Sequence, residues 1–143
     1  MTPNPTPAGA GERGDGLFPP HYFARVDETP DTQFYLPPRL VVHIDDAAIA
    51  AVGRLYAEVL PQHARLLDLM SAWRTHLPAG FVAAEVVGLG MNRAELADNP
   101  QLHRYLVHDL NAQPALPFED ASFDGAMCCV SVQYLTHPVA VFR

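Results

Sequence analysis

The sequence contains no lysine: all nine basic residues are arginine, set against sixteen acidic ones for a formal charge of −7. Schiff-base chemistry and phosphate clamps built on lysine are therefore excluded. A nucleic-acid-binding face gathers its cations to neutralise phosphates. Here the arginines are scattered along the chain, so nucleic acid is not an expected partner. Cysteine is scarce, and the two present, Cys128 and Cys129, are adjacent. In a strand they point to opposite faces, which argues against a mutual disulfide or a shared metal and fits core thiols of a reducing compartment. The tightest histidine groupings are His43-x-Asp45 and His108-Asp109. Neither has the spacing that puts ligands on one face, so no metal is expected. No apolar run approaches the roughly 20 residues of a membrane span. Nor does a basic segment followed by an apolar core open the chain, so the expectation is a soluble, cytoplasmic protein with no membrane partner.

What is present suits one domain: 143 residues, 49% of them hydrophobic, enough for an ordinary core. Residues 1–16 are rich in proline, glycine and polar residues and read as a disordered tail. Residues 17–40 set aromatics between prolines, the pattern of an extended arm anchored by Phe18, Tyr22, Phe23, Phe34 and Tyr35. Packing on the domain is the expected role of this arm, with a lid over a ligand as the functional alternative.

The remaining chain, 41–143, centres on the stretch from Arg65 to Pro78, RLLDLMSAWRTHLP. Leu66, Leu67 and Leu69 around Asp68 read as a buried parallel strand ending in an acidic residue before a turn. A helix precedes it, capped by Asp45 or Asp46 and running to about Leu60, with Ile49, Val52, Leu55, Tyr56 and Val59 on one face. A second strand is expected at Val82 to Leu89, with Glu85 near its exposed start. A helix follows at about Arg93 to Ala97, then strands at Arg104 to Val107 and Gly125 to Val132. After Val130 the chain leaves the sheet for a loop or helix. The order reads β-α-β-α-β-loop-β, an α/β fold with a doubly wound parallel sheet. In such sheets ligands sit at the carboxyl ends of the strands, where strand order reverses.

The segment VHDLNAQPALPFEDASFDGAMCCVSVQYLTHP carries a more specific pattern. A strand-end acidic residue, Asp109, precedes a Leu116-Pro117-Phe118 core. Ser122-Phe123-Asp124, the hydrophobic strand Ala126 to Val132, and Tyr134-Leu135 follow in order. Together with the turn after the first strand, this resembles the class I S-adenosylmethionine-dependent methyltransferases, of the methyltransferase type 11 group, over about Val41 to Arg143. The resemblance implies a Rossmann-like methyltransferase fold of which the chain supplies the N-terminal half, about four strands in the order 3-2-1-4. It also implies S-adenosylmethionine as cofactor and methyl transfer to a small-molecule acceptor. The cofactor-binding positions it assigns are Asp68, Met70, Ser71, Ala72 and Trp73 at the methionine end, Gly90 and Asn92 near the ribose, Asp109 and Leu110 at the adenine, and Ser131 near the methyl. Gln133 and Tyr134 face the acceptor.

The family's three turn glycines correspond here to Met70, Ala72 and Arg74, and its ribose-binding carboxylate to Gly90. These departures, with the early end of the chain, support a second expectation: a catalytically inactive domain of that fold that binds a partner protein. Asn92 reads first as a helix cap, and Asp109 equally as a residue that orders its loop. A third and weaker expectation is a nucleotide-binding module for another ligand such as a nicotinamide cofactor, although no G-x-G-x-x-G follows any strand. A free edge on the fourth strand leaves an unpaired hydrogen-bonding ladder, through which self-association is expected.

Overall fold

The three leucines of RLLDL are fully removed from solvent because both faces of their strand are covered, and this strand is the centre of the molecule. In the computed structural model, which describes residues 18–143, β1 (Arg65–Leu69) pairs in parallel with β2 (Glu85–Gly90) on one side and β4 (Gly125–Met127) on the other. β3 (Arg104–Val107) adds to β2, giving a four-stranded parallel sheet in the order β3-β2-β1-β4. The fold is α/β, and this strand order is consistent with a Rossmann-like fold. The disordered-tail expectation for 1–16 lies outside the described residues, as does Leu17.

Strand alternation divides the core in two. On one face Leu66, Val86 and Met127 pack with Ala64 and with Tyr56 from α2 (Asp46–Val59). On the other, Leu67, Leu69 and Leu89 pack with Leu110, Leu135 and Val141, the last from the short α4 (Pro138–Val141). Asp45 caps α2, its side chain accepting from the Ala48 amide at 2.8 Å. The buried face of α2 is narrower than its pattern predicts: Tyr56 and Gly53 are buried, whereas Leu55 and Val59 are exposed. Gly53 lies against Pro78 and the His76 carbonyl, on the side of the helix that faces the domain.

Three expectations are corrected. No helix joins β1 to β2; residues 70–84 form an irregular connection, so the element order is α-β-loop-β-α-β-loop-β. The last strand ends at Met127 rather than Val132, and three residues on Val130 adopts a left-handed backbone (φ 55°) that turns the chain away from the sheet direction. That leaves β4 three residues long, a much shorter edge for self-association than an eight-residue strand offers. The arm is not simply extended: it contains a 3-10 turn at Pro20–Phe23 and the short α1 (Asp31–Phe34). Phe18 and Tyr22 are exposed rather than anchored, while Phe23, Phe34 and Tyr35 are half-buried. No helix among the described residues is long and apolar enough to cross a membrane.

Candidate functional site

All four strands end on the same side of the sheet, and the loops that follow them enclose one crevice with a cavity of about 150 Å³. The loop after β1 contributes Met70 to His76, that after β2 Gly90 to Asn92, that after β3 His108 to Asn111, and that after β4 Cys129 to Ser131. Asp68 and Asp109 both open onto it. This is the carboxyl-end location where open parallel sheets bind ligands.

The turn after β1 is built around Asp68. Its Oδ2 accepts hydrogen bonds from Ser71 Oγ at 2.6 Å and Thr75 Oγ1 at 2.8 Å, both donors also buried. Burial pushes the Asp68 carboxyl up to about 6, against the pull of these two hydroxyls, which favour the carboxylate. Asn99 holds the turn from the side, its Nδ2 donating to the Ala72 carbonyl and to Thr75 Oγ1, each at 2.9 Å. From beneath, Ser71 N–H donates to the Leu89 carbonyl at 2.8 Å, which lays the turn across β2. Gly90 of β2 makes room for it, and Gly88, two residues earlier, makes room chiefly for Leu102. A Cβ at Gly90 would stand 2.1 Å from the Ser71 carbonyl oxygen, and one at Gly88 would stand 2.5 Å from Leu102 Cδ1. Gly90 is thus a glycine because the turn occupies the space a side chain needs.

Backbone strain is concentrated here. Met70 (φ 57°), His76 (φ 65°) and Val130 (φ 55°) all hold left-handed conformations, and all three line the crevice. For Val130, β-branched, this is a marked outlier. Such residues persist only where their surroundings fix them, and they collect at ligand sites.

The arm supplies the remaining wall, through Asp31, Tyr35, Arg39 and Val41 to Ile44. Asp31 is buried, ion-paired with Arg25, and accepts from Asn111 Nδ2 at 2.7 Å. Asn111 is a hub: its Oδ1 also accepts from the Thr136 amide at 2.7 Å, tying the β3 loop to the segment after β4. Tyr35 is raised to about 12, first by burial and then by Asp31 and Tyr134 nearby. Arg39 stacks on the Phe34 ring at 4.4 Å. Arg74 lies on the Trp73 ring at 3.8 Å, and with burial it lowers the His76 imidazole.

Of the sequence-derived positions, Asp68, Met70, Ser71, Ala72, Trp73, Gly90, Asn92, Asp109, Leu110, Ser131 and Tyr134 all line this crevice. Gln133 does not; its Nε2 turns back to the Val130 carbonyl at 3.0 Å. Asn92 is the N-cap of α3 (Arg93–Ala97), its Oδ1 accepting from the Ala94 and Glu95 amides. Asp109 orders its own loop, Oδ1 accepting from Asn111 N–H at 2.9 Å and Ala112 N–H at 3.1 Å. The two cysteines diverge as adjacent strand residues do, although they lie past the ladder. Cys128 packs on the Leu67 face and Cys129 reaches Tyr56 and the crevice. Among the described residues, no group of three or more His, Cys, Asp or Glu gathers in metal-binding geometry.

Sequence reasoning missed Asn99, Thr75 and Asp31. Asn99 sits in an Asp-Asn-Pro break that signals only a helix end, and its reach to the turn depends on tertiary placement. No protein-family model matches the chain, and neither a curated protein nor a solved structure matches it significantly.

Proposed function

We propose that the crevice binds S-adenosylmethionine and that the domain transfers its methyl group to a small-molecule acceptor. The observation that carries this reading is the turn after β1. Met70 stands two residues past Asp68, where the resembled methyltransferases have their first turn glycine, and it holds the left-handed backbone that glycine normally supplies (φ 57°). At this first position, though not at Ala72 or Arg74, the backbone is glycine-like without the glycine, at the edge where strand order reverses between β1 and β4. In this reading Asp68 and the Met70 to Trp73 backbone hold the methionine end, Asp109 and Leu110 the adenine, and Ser131 with Tyr134 border the acceptor. The cofactor supplies the activated methyl group. The residues supply alignment and exclusion of water, which is most of what such a displacement needs.

The ribose end fits less well. Gly90 has no side chain, the Ser71 carbonyl covers it, and the Asn92 amide is committed to the cap and the arm. A cavity of about 150 Å³ is also below the roughly 300 to 1,000 Å³ of ordinary ligand sites. These two observations favour the second reading, a non-catalytic domain that binds a partner protein.

Calorimetric titration with S-adenosylhomocysteine separates the two. Micromolar binding is expected for the first reading, and no heat at high protein concentration overturns it. The Asp68 carboxyl, raised to about 6, adds a signature. A ligand ammonium beside it favours the carboxylate, so binding near pH 6 releases a proton, visible as a dependence of the heat on buffer ionisation.

A further inference from the structure

We infer that residues 31–44 form a strap latched over the mouth of the crevice, which opens as a unit to admit a small molecule while the sheet stays folded. Three observations lead here. First, the strap borders the cavity: Asp31, Tyr35, Arg39 and Val41 to Ile44 form one wall of its roughly 150 Å³. Second, apolar burial holds only its first part, where Phe34 and Tyr35 are half-buried. Leu36, Leu40, Val41 and Val42 are all exposed, from 45% to 75%. Third, polar latches hold it as well, reaching up from the loops after three successive strands. Trp73 Nε1, after β1, donates to the Val41 carbonyl at 2.7 Å. Asn92 Nδ2, after β2, donates to the Tyr35 and Leu36 carbonyls at 2.8 and 3.0 Å, and Glu95 Oε1 accepts from the Arg39 amide at 2.6 Å. Asn111, after β3, donates to Asp31 at 2.7 Å.

A hydrogen bond of this kind shifts an opening equilibrium by only about two- to twelvefold, and segments with few buried apolar contacts open below the global unfolding limit. Closure by several weak latches is therefore reversible. The latches are carried by the same loops that line the crevice, so a ligand that moves those loops also moves the latches.

The test is amide hydrogen exchange on the full chain, without ligand, so its outcome is independent of the titration above. Asn92→Asp keeps the acceptor that caps α3 but replaces the donor by an oxygen facing two carbonyls. Trp73→Phe keeps a ring for Arg74 but removes the indole N–H. In the double variant, amides of 31–44 are expected to exchange at least roughly tenfold faster, while those of Leu67, Val87 and Leu89 keep their rates. Glu95→Ala, which breaks a different latch, is expected to give the same selective acceleration. Core amides accelerating in step with the strap would make it part of the cooperative sheet and overturn the inference. Unchanged strap amides in both variants would overturn it as well.

Discussion

The sheet and the strap are held by opposite means. In the sheet, Leu66, Val86, Val87 and Leu89 are at most 1% exposed, and the parallel ladder joins segments up to sixty residues apart. In the strap, Leu36, Leu40, Val41 and Val42 remain in water while Phe34 and Tyr35 are half-buried, and hydrogen bonds from side chains of the crevice loops carry much of the attachment. Burial contributes in proportion to area and is not easily undone piecemeal. A few hydrogen bonds at a half-wet surface can be made and broken while the rest stands. The site lies at the boundary between the two, so its floor is rigid and its roof is separable.

The largest expected effect comes from the floor. Leu89→Ala empties a fully buried position shared by β1, β2 and the Leu110 segment and is expected to cost about 2 to 5 kcal/mol by chemical denaturation. It should also accelerate exchange in sheet and strap together, in contrast to the latch variants. Next comes Gly90→Ala, whose Cβ would collide with the Ser71 carbonyl, backbone rather than a flexible side-chain end. A loss of about 1 to 3 kcal/mol is expected, with a displaced turn. An unchanged midpoint would mean that the turn is not pressed on β2.

A third prediction concerns pH. The folded-state pKa of Asp68 is raised to about 6 from an ordinary 3.8, so the folded protein holds its proton more tightly than the unfolded chain. This contribution to stability is complete below the unfolded value and is lost as pH rises through 6. Relative to Asp68→Asn, which keeps an acceptor but does not titrate, the wild type is expected to lose on the order of 2 kcal/mol between pH 4 and pH 7. Parallel stability curves for the two proteins would contradict it. The smallest effect is expected in the strap: Trp73→Phe alone removes one hydrogen bond and should lower global stability by about 1 kcal/mol or less. A larger loss would erase the contrast between the two regions.

The β1 and β3 limits, a cap at Asp45 or Asp46, the Asn92 cap and the convergence of Asp68 with Asp109 were all legible from local pattern. Each depends on rules that act within a few residues, or on the one topological rule for parallel sheets. The α2 face was misjudged where Leu55 and Val59 fit the helical period yet point to water, because periodicity does not say how wide a contact will be. The connection from β1 to β2 was misjudged because a parallel crossover usually contains a helix, whereas this one spends its residues on the Asp68, Thr75 and Asn99 network.

The sequence by itself determined that four short apolar segments form a parallel sheet with acidic residues at two of their ends, since strands covered on both faces, as β1 and β2 are, read as near-continuous apolar runs. Only the tertiary structure decided that Asn99 and Asp68 hold one turn, that Gly90 is vacant to receive it, and that residues 31–44 lie across the opening. Those are encounters between groups up to eighty residues apart, and the free energy of each resides in a distance and an angle that no local pattern encodes.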